Sequence, residues 1–171
     1  LDPFANFVMG RAHWVENNIA GGSAWLDRAV RQSPNYAQGI YARAWADAVT
    51  GRKEGAARER IDLALSLSPL DPFRYAMLGV RAFACLLEEE MAEAARFADE
   101  AAKTPGAHVL IAMIAVALHK LNGDREKAAA WAANVRTRAP GVRREAFFTA
   151  FPFEHEPTRL RVAAALERHG F

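Results

Sequence analysis

The chain has 171 residues, of which 51% are hydrophobic and 25% are charged, a composition typical of a folded globular protein and not of a disordered one. Its 22 Lys and Arg residues nearly balance its 20 Asp and Glu residues, and the two signs are interspersed. This distribution excludes the dense basic stripe of a typical nucleic-acid binder, so we expect no direct nucleic-acid contact. The single cysteine, Cys85, excludes an internal disulfide and a cysteine-cluster metal site, and its apolar surroundings predict a buried side chain.

Abundant alanine, with few Val, Ile and Thr residues, favours an all-α fold. The longest uncharged apolar run, residues 109–118, is too short to span a bilayer. No signal peptide is visible. We therefore expect a cytoplasmic chain without a membrane span.

Four prolines, each placed after an apolar helical run, divide most of the chain into nearly equal parts. They are Pro34, Pro69, Pro105 and Pro140, and the intervals between them are 35, 36 and 35 residues. An interval of this length fits two antiparallel helices, here called helix A and helix B. The spacing predicts a repeat region over residues 1–140, with four units at about residues 3–34, 35–69, 70–105 and 106–140.

The eighth position of helix A holds a small residue in every unit. These residues are Gly10, Ala44, Gly79 and Ala115. We interpret the small side chain as a requirement for close packing of helix A against helix B of the same unit.

The stretch SPLDPF, residues 68–73, separates units two and three. We predict that Pro69 closes unit two and that Asp71 is the N-cap of the next helix A. Pro72 then takes the first helical position, where a missing N–H group costs nothing.

Residues 141–171 depart from the repeat and form the predicted tail. Four phenylalanines, Phe147, Phe148, Phe151 and Phe153, precede a final helix with Pro157 in its first turn and Gly170 as its C-cap. The last unit of a repeat array exposes an apolar face, so we expect these rings to cover it. A hydrophobic contact between two copies of the chain is the alternative.

The repeat resembles the tetratricopeptide pattern. Unit three carries the resemblance most clearly, with Tyr75, Leu78, Gly79 and Ala82 in the pattern's positions and Pro105 closing the unit. The resemblance covers residues 3–140 and implies a right-handed α-solenoid of about four degenerate helical hairpins with a C-terminal capping helix.

Unit two departs from the pattern at Arg43 and Asp47, where a leucine and an aromatic residue are usual. Because the two residues are spaced i, i+4 on a helix, we expect them to form a partly exposed ion pair.

With its tail, the chain is similar to the C-terminal region of two groups of bacterial proteins. They are CadC-type winged-helix transcriptional regulators and class III adenylate cyclases that carry tetratricopeptide repeats. The similarity is carried by FANFVMGRAHW and SPLDPFRYAMLGVRAFA, and by the tail pattern FPF followed by EP and RL. It implies a sensory or interaction module whose output domain lies upstream.

No motif for catalysis is present. The five histidines form no i, i+4 pair with an acid on one helix, and the chain has no G-x-S-x-G elbow or phosphate loop. The stretch EHEP, residues 154–157, precedes a helix, where acids are favourable without a metal. We expect a non-enzymatic chain without a metal or cofactor.

In tetratricopeptide arrays the A helices line a concave face, so the resemblance implies a binding groove at positions 2, 5, 9 and 12 of helix A. The predicted groove residues are Phe4, Phe7, Arg11, Trp14, Gln38, Tyr41, Trp45, Phe73, Val80, Phe83, Val109, Val116 and His119. Many are aromatic and few are charged, which disfavours a charged-peptide clamp. The set favours a protein or peptide partner with an apolar or aromatic segment.

Three alternatives stay open at this point. Tight curvature of the array would bury the predicted groove residues as ordinary core. A small-ligand receptor or enzyme would use the same aromatic groove as a pocket. A free-standing adaptor would use it without any upstream domain.

Overall fold

The computed structural model describes residues 2–51 and 55–171, and these ranges contain ten α-helices and no β-strand. The helices are α1 (Pro3–Val15), α2 (Ile19–Gln32), α3 (Ala37–Thr50), α4 (Ala56–Leu67), α5 (Arg74–Leu87), α6 (Met91–Lys103), α7 (Val109–Leu121), α8 (Arg125–Arg138), α9 (Arg144–Ala150) and α10 (Glu156–Glu167). The predicted all-α class is confirmed.

The first eight helices pack in consecutive pairs. Each odd-numbered helix from α1 to α7 contacts the helix that follows it, and α2, α4 and α6 also contact the next odd-numbered helix. The odd-numbered helices contact one another in turn, α1 with α3, α3 with α5 and α5 with α7. Each unit predicted from the proline spacing contains one such pair. The solenoid geometry and the repeat family stay predictions.

Burial differs between the two sets of helices. Residues 77–86 of α5 and residues 111–119 of α7 are buried on all sides. The even-numbered helices bury a single stripe, as in α6, where Ala94, Ala98 and Ala101 are fully enclosed. A stripe at this spacing is typical of a helix with one face in solvent. Helices α3, α5 and α7 therefore form the interior layer and the even-numbered helices an outer one, while α1 buries Asn6 and Gly10 and is otherwise partly or fully exposed. Cys85 is buried in α5, as predicted.

The small residues at the eighth position have two different neighbours. A Cβ atom at Gly10 would lie 2.4 Å from Cδ2 of Leu26 on α2, so the prediction of close packing within a unit holds there. At Gly79 the nearest atom is Cδ1 of Ile114 at 3.2 Å, on α7. The prediction is wrong at this position, because the interior helix of the next pair approaches Gly79 more closely than α6 does.

The start of α5 also differs from the prediction. The helix begins at Arg74, and Phe73 is its N-cap residue. Asp71 instead closes a turn before the helix: its side chain accepts a 2.8 Å hydrogen bond from the Phe73 N–H, and its carbonyl accepts one from Arg74. This turn holds Phe73 outside the helix.

Helices α9 and α10 both pack on α7. Pro157 lies in the first turn of α10, as predicted. The C-cap residue of α10 is Arg168 and not Gly170, which lies two positions further on with a positive φ of 82°. Phe147, Phe151 and Phe153 are buried within the chain itself. The dimer contact through these rings stays a prediction.

Candidate partner-binding surface

One side of helices α1, α3 and α5, together with the start of α7, carries most of the predicted groove residues. We call this side the odd-helix surface. The chain's own tail covers one part of it, and the other part is open.

The covered part is centred on Phe83. Its ring makes edge-on contacts with the rings of Phe151 and Phe153, at centroid distances of 5.3 Å and 4.9 Å. Edge-on ring pairs at these distances are favourable beyond the area that they bury. Phe83 is 1% exposed as a result.

Main-chain contacts fix the tail on the same part. The indole Nε1 of Trp14 donates to the carbonyl of Ala150 at 3.5 Å, and the N–H of Glu154 donates to the carbonyl of Val49 at 2.8 Å. Trp14 also stacks on Trp45, with centroids 3.5 Å apart. The segment 150–155, which we call the tail strap, thus crosses α1 and α3.

Several other predicted groove residues are buried. Trp45 is 1% exposed, and Val80 and Val116 are also buried. A partner has no access to these three side chains or to Phe83 in this structure.

His119 lies away from the odd-helix surface, between α6 and α8. Its Nε2 is 3.4 Å from a carboxylate oxygen of Asp99, and its Nδ1 is 3.8 Å from a carboxylate oxygen of Asp124. Burial lowers the pKa of His119, although both carboxylates oppose this shift. Asp99 also accepts a 2.8 Å hydrogen bond from Nε1 of Trp131. The cluster joins three helices, and His119 itself is 3% exposed, so a partner has no access to its ring.

Val109, also predicted for the groove, is half-buried at the start of α7.

The open part contains a pocket of about 280 Å³. We call it the open pocket, and its lining residues are Phe7, Val8, Arg11, Gln38, Tyr41 and Phe73. Five of these six were predicted for the groove. The sixth, Val8, was missed because it lies outside the repeat positions assigned to the groove, although its i, i+4 spacing from Phe4 was a signal that could have found it.

Helix α1 supplies one wall of the open pocket. Its start is fixed by Asp2, whose side chain accepts a 2.8 Å hydrogen bond from the Ala5 N–H. Residues three or four positions apart lie on the same face of a helix, so Phe4, Phe7 and Arg11 share one face, and Val8 lies beside Phe7 on it. The ring of Phe7 packs edge-on against Tyr36 at 5.6 Å, which fixes the wall against the second pair of helices.

Large apolar side chains remain exposed around the pocket. Phe4 is 63% exposed, Phe73 is 49% exposed and Val8 is 44% exposed. Single exposed apolar residues are normal on proteins, but a cluster around a cavity is typical of a binding surface.

The electrostatics of the pocket are set by one cation. The guanidinium of Arg11 lies 3.9 Å above the ring of Trp14, and no carboxylate in the described residues is within ion-pair distance of it. Burial raises the pKa of Tyr41 to about 12, an effect that Arg11 partly offsets. Tyr41 is therefore a neutral hydroxyl at physiological pH, and no acidic residue lines the pocket.

Two further polar features lie outside the open pocket and stabilise the fold. Arg43 pairs with Asp47 as predicted, but Asp47 is buried instead of partly exposed, because Arg60 of α4 closes over it from the other side. His155 of the EHEP stretch bonds Thr158 at 2.8 Å in the first turn of α10. Within the described residues, no three His, Cys, Asp or Glu side chains are arranged to hold a metal ion.

Among the described helices, none combines the length and apolar character needed to cross a membrane. A scan against protein-family models matches none of them to this chain, and comparisons with curated proteins and with solved structures find no match either.

Proposed function

We propose that the chain is a non-catalytic, tetratricopeptide-like module that binds a protein partner at the open pocket. The near-constant interval of 35 or 36 residues supports the repeat assignment. The succession of packed helix pairs, in which each pair contacts its neighbours, also supports it.

The observation that carries the proposal is the cluster of exposed apolar side chains around the open pocket. Phe4, Val8 and Phe73 would each lose unfavourable contact with water on binding, at about 25 cal/mol for every Å² of apolar surface covered. Aromatic side chains together with an arginine are frequent anchors of protein interfaces, and the pocket offers Phe7, Tyr41 and Arg11.

The size of the pocket suits the side chains of a protein partner. Pockets for drug-sized ligands and cofactors enclose about 300–1,000 Å³. At about 280 Å³ the open pocket lies at the lower edge of that range and has room for one or two large side chains of a longer segment. The rim formed by the exposed rings extends the contact surface beyond the cavity itself.

The regulatory part of the proposal rests on the sequence resemblance to CadC-type regulators and to cyclases with tetratricopeptide repeats. In this proposal the chain is cytoplasmic and senses a partner for an output domain upstream. Reading the coding sequence ahead of Leu1 tests this part. A winged-helix or cyclase pattern is expected there, and a gene that starts near this residue would leave a free-standing adaptor.

A peptide-library selection tests binding at the open pocket. We expect a random library displayed on phage to yield peptides that bind the wild-type chain and lose binding to Val8→Asp. The matched control is Leu63→Asp, because Leu63 is 45% exposed on α4, about as exposed as Val8 on α1. Peptides that bind both variants equally, or a library that yields no binder, would contradict the proposal.

A further inference from the structure

The tail strap is itself an occupant of the odd-helix surface. After Ala150, the last residue of α9, it is not helical: residues 152–155 have no regular secondary structure, and Phe151 has an extended φ of −125°. It is held by two rings against Phe83 and by two hydrogen bonds of its own main chain, one accepted from the Trp14 side chain and one donated to the Val49 carbonyl. The odd-helix surface therefore accepts an extended, aromatic segment.

The open pocket continues the part of the surface that holds the strap. Trp14 joins the two parts: it donates to Ala150 of the strap, stacks on Trp45, and lies 6.4 Å from the ring of Tyr41, which lines the pocket. The Arg11 guanidinium lies on the face of the Trp14 ring. One continuous set of rings therefore runs from beneath the strap into the pocket.

The positive charge of the pocket favours some partner segments over others. Arg11 is the one charged residue among those that line it. An acid that acts on Tyr41 is Asp71, which lies outside the residues that line the pocket and whose carboxylate accepts hydrogen bonds from Ser68 at 3.0 Å and from the Phe73 N–H at 2.8 Å. A segment with acidic residues is therefore complementary to the pocket, and a basic segment is not.

We infer that the partner presents an extended, aromatic segment with acidic flanks, of the same chemical type as the chain's own tail strap. This inference rests on the proposed function. Two neighbouring rings of the segment would fill the pocket and cover Phe73 and Val8, and a carboxylate beside them would reach Arg11.

A binding measurement with short peptides tests the inference. The probe is a fluorescently labelled peptide, Thr-Ala-Phe-Pro-Phe-Glu, which repeats the sequence of residues 149–154, and the readout is fluorescence anisotropy. Replacing both of its phenylalanines by alanine should weaken binding at least about tenfold, since buried aromatic anchors contribute more than 1 kcal/mol each. Replacing its glutamate by lysine should weaken binding several-fold, and Arg11→Gln should abolish that difference.

Protein variants locate the binding site. Val8→Asp should remove binding of the peptide, and Leu63→Asp should leave it unchanged. Binding that is insensitive to Val8→Asp, or equal for the phenylalanine and alanine peptides, would overturn the inference.

The library selection separates this inference from the proposed function. If selected peptides bind at Val8 but lack aromatic residues or bind as helices, the partner class is wrong and the proposed function stands. If no peptide binds at Val8, both fail.

Discussion

Two glycines, Gly10 of α1 and Gly22 of α2, lie against each other in the first helix pair. A Cβ atom at Gly22 would lie 2.9 Å from the carbonyl oxygen of Gly10 and 3.1 Å from Cβ of His13. The carbonyl belongs to the backbone of α1, so it has little freedom to move, and α1 and α2 would have to separate.

Gly22→Ala is therefore expected to destabilise the chain by about 1–3 kcal/mol, the usual cost of overpacking. The measurement is urea unfolding followed by circular dichroism. Gly141→Ala is the control, since its added Cβ would meet no atom within 4 Å and its φ does not require glycine. Equal effects of the two substitutions would show that the glycine contact is unimportant.

A second residue-scale prediction concerns His119. Burial holds its pKa below the ordinary value, which is about 6.5, while Asp99 of α6 and Asp124 beside α8 act against the shift and Lys127 adds to it. The folded state therefore favours the neutral ring. As the pH falls below about 6.5, the unfolded chain takes up a proton that the folded chain does not, so stability is lost through the folded pKa.

The expected result is a free energy of unfolding that declines from pH 7 to pH 5 in the wild type and declines less in His119→Gln. NMR titration should place the ring's pKa below 6.5. A pKa above this value, or an equal decline in both proteins, would contradict the assignment.

The tail strap is the element that decides which predicted groove residues are accessible. The tetratricopeptide resemblance places Trp45 and Phe83 in the predicted groove, where truncation would weaken partner binding. Both side chains are 1% exposed beneath or beside the strap, so the structure leads to a different expectation.

We now predict that Phe83→Ala and Phe153→Ala each lower the free energy of unfolding by about 3–5 kcal/mol, because each leaves a cavity in the ring cluster. Denaturant unfolding checks this. Leu70→Ala is the control, since Leu70 lies almost wholly in solvent and should have little effect. Unchanged stability of the phenylalanine variants would mean that the strap does not pack on α5.

Sequence periodicity was enough to predict the eight paired helices and the final helix, because prolines and glycines mark their ends. The resemblance to the tetratricopeptide pattern, and not periodicity alone, brought Phe7, Arg11, Gln38, Tyr41 and Phe73 into one predicted surface. Periodicity could not place the tail strap, since the contact between Phe83 and Phe153 joins residues 70 positions apart and no periodic pattern records such a contact. The strap was assigned to the last unit alone, and its position across α1 and α3 was therefore not foreseen.

For the whole molecule, the strap supplies contacts that a simple array of hairpins lacks. In such an array each unit contacts its neighbours alone, and unfolding can begin at either end. Here the carbonyl of Ala150 accepts a hydrogen bond from Trp14 in the first helix pair. Phe151 and Phe153 pack on Phe83 in the third helix pair.

We therefore predict that the chain unfolds in one cooperative transition. Tryptophan fluorescence and far-ultraviolet circular dichroism should give coincident denaturation curves in the wild type. The double substitution of Phe151 and Phe153 by alanine should separate the two curves. Separate curves in the wild type would show that the strap does not couple the helix pairs.

In the proposed function, the open pocket receives a partner and the surface beneath the strap does not. The most direct measurement is an NMR titration of the labelled chain with the Thr-Ala-Phe-Pro-Phe-Glu peptide, followed by mapping of the amide shifts. We predict that shifts cluster at Val8, Arg11, Tyr41 and Phe73, while Phe83 and Phe153 stay unchanged. Shifts that cluster at Phe83 and the strap, or that are absent from the pocket, would contradict the account.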